Sequence, residues 1–159
     1  MKLLQTILNS VAVAVLSIGL SHADVYAKGS KVTPFQAKDQ HGAEYAFEAK
    51  STNFLLDSFD METGKKANAA LNAQGAAYLP SKKAVYVANI FGMPGIGRMF
   101  AMPKMKKYSH QIILADDAAL IAKFPEQKGK VAVLAISGGK VTSIKYWTPG
   151  TEGVEAYLK

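Results

Sequence analysis

Four of the six methionines, Met93, Met99, Met102 and Met105, fall within thirteen residues, and His110 follows closely. Soft thioethers select Cu(I) over harder cations. The Met99-x-x-Met102-x-x-Met105 spacing can bring three of them together, which makes Met99, Met102, Met105 and His110 candidate ligands of a soft-metal site. Two other readings compete with this one. Methionines fill irregular gaps where a broken segment packs on a sheet, and they also form adaptable apolar contact surfaces. On the contact reading, Met93, Met99, Phe100, Met102 and Met105 are the partner-binding residues, flanked by Lys104, Lys106 and Lys107.

Other reactive groups are sparse. The 159 residues include no cysteine, so neither a protein thiolate nor a disulfide is possible. Beyond the leading segment the histidines are His41 and His110, and a zinc site needs three or four ligands. His41 is expected in an exposed turn and His110 at the surface or half-buried. Asp57 and Asp60 are three apart on one strand and so point to opposite faces, not toward a common substrate. Asp116-Asp117 reads as a helix cap. Phe91 to Gly97 is glycine-rich but lacks the lysine and hydroxyl of a phosphate-binding loop, and it is no dinucleotide fingerprint. No catalytic constellation and no cofactor is implied.

The elements that would position these residues follow from periodicity and turn chemistry. Val11 to Leu20 is an unbroken run of apolar and small residues, preceded by Lys2 and followed by Ser21-His22-Ala23. This is the pattern of a signal peptide over 1–23 with cleavage before Asp24, or alternatively after Ala27. An uncleaved anchor would need about 20 apolar residues, and Gln5, Thr6, Asn9 and Ser10 interrupt the run. Without cysteine there is no lipoprotein anchor. Residues 24–159 make one domain, with no second segment of spanning length. The protein is therefore expected to be exported, and periplasmic if its source is Gram-negative. The formal charge of +7 is almost all lysine, Arg98 being the single arginine. Base readers rely on arginine, so nucleic acid is not an expected partner.

Residues 33–47 predict a β-hairpin turning at Asp39-Gln40-His41-Gly42. Asn53 to Asp60 predicts a buried strand. A helix capped by Asp60 or Thr63 and closed by Gly75 should come next. Lys83 to Ile90 and Gln111 to Ala115 predict strands, with a helix of two or three turns inside Gly97 to Tyr108 between them. Asp116 or Asp117 should cap a short helix through Phe124. Lys130 to Ser137 is apolar on both faces, as in a doubly covered strand. Gly138-Gly139 turns it into an outer strand, Lys140 to Trp147. Thr151 should cap a last helix with Val154, Tyr157 and Leu158 facing inward.

This order, with Phe35-Gln36-Ala37-Lys38-Asp39-Gln40-His41-Gly42 and the strand–glycine–strand unit Val131 to Val141, resembles the thioredoxin-like superfamily, in its peroxiredoxin and exported thiol-reductase branch. The resemblance implies an α/β fold: a three-layer sandwich with a central mixed β-sheet and helices on both faces. It also places a reactive cysteine just after the first core strand, where this chain has Asp60-Met61-Glu62-Thr63-Gly64. The branch's cis-proline should precede the late strand, where this chain has Lys128-Gly129-Lys130. Thiol-dependent peroxidase, reductase and isomerase chemistry is thus excluded. The expected role is a non-catalytic binding or accessory module of the cell envelope, with an envelope protein as partner. Soft-metal binding and a cysteine-independent reaction are the alternatives.

Overall fold

The computed structural model describes residues 24–159, so the signal peptide expected over 1–23 lies outside the described residues. Seven strands form one mixed sheet in the order β2-β1-β5-β4-β3-β6-β7. They span Phe35–Asp39 (β1), Glu44–Phe47 (β2), Phe54–Ser58 (β3), Ala84–Asn89 (β4), Ile113–Ala115 (β5), Val131–Ser137 (β6) and Lys140–Trp147 (β7). The helices are α1 (Met61–Gln74), α2 (Tyr78–Ser81), α3 (Gly95–Met105) and α4 (Ala118–Ile121). Only β3, β4 and β5 run parallel to one another. β6 lies antiparallel to β3 although it is covered on both faces, so double coverage here does not mark a parallel strand.

The two parallel crossovers step the same way along the sheet, and right-handed connections then put α1 and α3 on one face. That face carries a core of Leu56, Ala67, Leu71, Tyr86, Ile112 and Trp147. The other holds Leu55, Val87, Leu120, Phe124 and Leu134 beneath α4 and the N-terminal segment. Tyr26 belongs to this second core: its ring meets Phe124 edge-on at 5.9 Å, and its N–H donates to the Lys123 carbonyl at 2.8 Å. A chain starting at Lys28 lacks that ring and should lose about 3 kcal/mol of unfolding free energy relative to one starting at Asp24, read from urea unfolding.

Local chemistry explains most boundaries. In the first hairpin the Asp39 carboxylate accepts N–H bonds from His41 and Ala43 at 2.8 and 3.0 Å, and Gly42 has φ +83°. The Phe35-x-x-x-Asp39-x-x-Gly42 pattern is thus a turn signature. Asp60 caps α1, accepting from the Thr63 N–H and hydroxyl, each at 2.8 Å. Asp117 caps α4 through the Leu120 N–H. α3 starts two residues earlier than expected, straight after Pro94, and carries Pro103 in its last turn.

Two expectations fail. The last helix is only a single 3₁₀ turn, Val154–Ala156. Glu152 is taken up instead as a clasp: its carbonyl accepts the Trp147 indole N–H at 2.8 Å, and its carboxylate accepts from Thr148 N–H and the Tyr157 hydroxyl. Val154 and Leu158 still face inward. The second failure is His110, which is fully buried rather than at the surface.

Candidate functional site

The carboxyl ends of β3 and β4 open into a cavity of about 280 Å³ between α1 and α3. Its walls are Met61, Ala88, Met93, Phe100, Ala101 and Met105. Six of the large apolar side chains left exposed lie at this same edge of the sheet: Phe59, Met61, Phe91, Ile96, Met99 and Phe100. The last three project from α3, an eleven-residue helix with no buried residue, and are each about two-thirds exposed. An apolar surface of this kind, rimmed by Lys65, Lys104, Lys106 and Lys107, marks a contact site more often than it marks bare solvent exposure.

Beneath the cavity lies a buried polar layer. Ser58 and Tyr86 hydroxyls meet at 2.8 Å. His110 Nε2 meets the Asn68 side-chain oxygen at 2.9 Å, with the imidazole between the Tyr86 and Tyr108 rings at 6.0 and 5.6 Å. Burial pushes His110 down to about 4, so the ring is neutral at physiological pH and donates through Nε2 while Nδ1 has no partner among the described residues. Burial also pushes the Tyr86 phenol above its ordinary range. Asp57 faces the opposite layer, where burial, with Glu126 adding to it, pushes its carboxyl up to about 8, and one oxygen has no partner among the described residues. Asp57 and Asp60 therefore do not share a site, but strand alternation is not the reason: β3 ends at Ser58, and Asp60 is spent as the cap of α1.

The methionines do not converge. Three-residue steps on an α-helix turn each successive side chain back by about 60°, so Met99, Met102 and Met105 fan across about 120°. Met105 and Met93 border the first cavity, Met102 lines a second one, and Met99 is exposed. His110 lies under the first cavity, hydrogen-bonded to Asn68. No cluster of three His, Asp or Glu side chains among the described residues is spaced for a metal ion.

The second cavity, about 550 Å³, is more polar, and its charges largely satisfy one another. Arg98 forms a bidentate pair with Asp116, 2.7 Å on each arm, and also donates to the Ile90 and Met93 carbonyls. Asp116 is thus a partner of the single arginine rather than a cap. Arg98→Lys cannot keep the two-pronged contact and should raise the mobility of the Phe91–Pro94 loop, read as faster amide exchange there. His41 sits exposed in the hairpin turn, as expected.

No protein family model matches the chain, and no curated protein matches it in sequence. Solved structures do. A chain described as the thiol:disulfide interchange protein DsbE from Chlorobium tepidum superposes with a TM-score of 0.56 at 16% identity, over 84% of this chain and 99% of that one. One described as a thioredoxin from Neisseria meningitidis gives 0.54 at 13%, over 79% and 84%. The peroxidoxin BcpB from Mycobacterium tuberculosis gives 0.53 at 14%, over 83% and 91%. The fold is thioredoxin-like. At these identities the likeness carries architecture alone. With no cysteine in the sequence, there is no protein thiol to run thiol redox chemistry on this scaffold.

Proposed function

We propose that this chain is a non-catalytic binding module, exported to the cell envelope and cleaved before Asp24, that engages a protein partner through the exposed face of α3. The observation behind this reading is that α3 holds Ile96, Met99 and Phe100 out of the core at the carboxyl edge of the parallel strands. Large apolar side chains anchor most interface energy when they enter a partner's pocket. Met93, Met102 and Met105 pack behind them and give the face an adaptable backing. Cleavage before Asp24 also keeps Tyr26 in the core, whereas the alternative after Ala27 discards it.

Replacing Met99 and Phe100 by glutamate should cut partner recovery from envelope extracts by about tenfold or more, since two anchors carry roughly 1–2 kcal/mol each. The circular dichroism spectrum should stay unchanged, because both side chains are already in solvent. Undiminished recovery rejects the assigned surface.

A further inference from the structure

We infer that the cavity between α1 and α3 is a binding site for a small carboxylic acid with an apolar, ring-sized body and a hydrogen-bonding acceptor at its far end. This goes beyond the partner surface, because the cavity faces inward from Met61 and Phe100 and does not include Ile96 or Met99.

Three observations define the ligand. The first is the floor. Among the described residues, the Tyr86 phenol is paired only with the Ser58 hydroxyl, and Tyr86 is fully buried while Ser58 lines the cavity. A buried phenol keeps its proton satisfied by donating to Ser58. The Ser58 proton is then left to point into the cavity. Asn68 also lines the cavity; its oxygen is taken by His110, and its amide N–H groups have no protein partner among the described residues. Two donor groups thus await an acceptor.

The second is the mouth. Lys65 and Lys104 border it, and neither has a carboxylate within 4 Å among the described residues. Asp60 is the one acidic side chain there, and both of its oxygens already accept from Thr63, with Lys128 adding a positive neighbour. The net field favours an anion.

The third is the size and give of the walls. The volume of about 280 Å³ lies at the small end of ligand cavities and suits roughly ten non-hydrogen atoms, at about 30 Å³ per water-sized group. Met93, Met105 and Phe100 offer polarizable, apolar contact to a ring.

Gly64 supports the same assignment. It sits inside α1 with helical φ, where glycine costs about 1 kcal/mol relative to alanine. A Cβ there would meet nothing closer than the Ser58 Oγ at 3.5 Å, an ordinary contact. Sterics therefore permit alanine. What a methyl group would do is cover the Ser58 hydroxyl and close the floor.

The test is calorimetric titration of residues 24–159 with three matched probes: 4-hydroxyphenylacetate, phenylacetate and tyramine. The first should bind with Kd below about 1 mM, and phenylacetate about tenfold more weakly for want of an acceptor at the floor. Tyramine, which swaps the anion for a cation, should bind at least about tenfold more weakly again. Gly64→Ala should raise the melting temperature and weaken the preference for the hydroxylated acid, a combination that misfolding cannot produce. Ser58→Ala with Tyr86→Phe removes both hydroxyls together, which is close to neutral for folding, and should shrink the difference between the two acids to what the Asn68 amide alone supports. Met99→Glu should bind all three as wild type does, which separates this site from the α3 partner face. Absence of binding by either acid, tyramine binding as tightly as the acids, or a hydroxyl preference undiminished in both floor variants would overturn the assignment.

Discussion

Replacing Asp57 by asparagine should stabilise the protein by several kcal/mol, at most about 5, at about pH 8, and by almost nothing at about pH 4. The sign follows from where the proton sits. Asp57 is buried on β3 among Leu55, Val87 and Ala132, and among the described residues no group donates to its Oδ1. Burial, with the nearby Glu126 as a smaller cause, raises its folded value from 3.8 to about 8. Between those two values the native state holds a proton that the unfolded chain has released. Stability therefore falls as pH rises through this window, by about 1.4 kcal/mol per unit. Asparagine keeps the shape and removes the titration. Urea unfolding of both proteins at a series of pH values gives the difference directly. A constant difference from about pH 4 to 8 would show that Asp57 ionises freely and that its burial is overstated.

The hairpins, the core strands and the caps of α1 and α4 were legible because each rests on neighbours in sequence. Gly42 and Gly138-Gly139 supply positive φ at the turns, and Asp60 and Asp117 reach donors three residues ahead. What escaped depends on residues far apart. His110 is buried because Asn68, 42 residues earlier, offers its oxygen, and because Gln40 of the first hairpin accepts the Ile112 N–H and donates to the His110 carbonyl. Nothing near His110 announces either partner. Asp116 reads equally as a cap until Arg98 is seen beside it. The C-terminal segment has the acidic residues of a helix start, but Trp147, Thr148 and Tyr157 claim Glu152 first. The methionine segment was legible as a feature and not as a geometry, since spacing alone does not say which side of α3 meets the sheet. The cavity floor left no local trace, because Ser58, Asn68 and Tyr86 come from three elements and only the fold assembles them.

The second large effect is a pH plateau that single substitutions should split. His110 titrates in the opposite sense to Asp57. Burial lowers its folded value from 6.5 to about 4, so in that range the unfolded chain takes up a proton that the native ring refuses. Stability on this account falls as pH drops from 6.5 to about 4, by at most about 3 kcal/mol. Over the same interval Asp57 contributes a slope of equal size and contrary sign. The two cancel, and the native protein should show nearly constant stability between about pH 4 and 6.5, then lose stability toward about pH 8 as Asp57 acts alone. Asp116, with its value lowered chiefly by the Arg98 contact, and Asp60 and Asp39, where hydrogen-bond donors outweigh burial, act below this window, while Glu152, held below its ordinary 4.5 chiefly by the Tyr157 hydroxyl, acts only at its acid end. His110→Gln retains an N–H for Asn68 and should expose the Asp57 slope, with stability rising on acidification. Asp57→Asn should expose the reverse, with stability falling on acidification. If both variants remain flat from about pH 4 to 6.5, neither group is buried as the structure has it. If each tilts as stated, the sheet carries two mutually compensating ionisable groups, Asp57 under α4 and His110 beneath the cavity. Such compensation does not remove the cost of burying the two groups; it hands a cost of about 3 kcal/mol from His110 at the acid end of the interval to Asp57 at the other, so that the total hardly changes with pH.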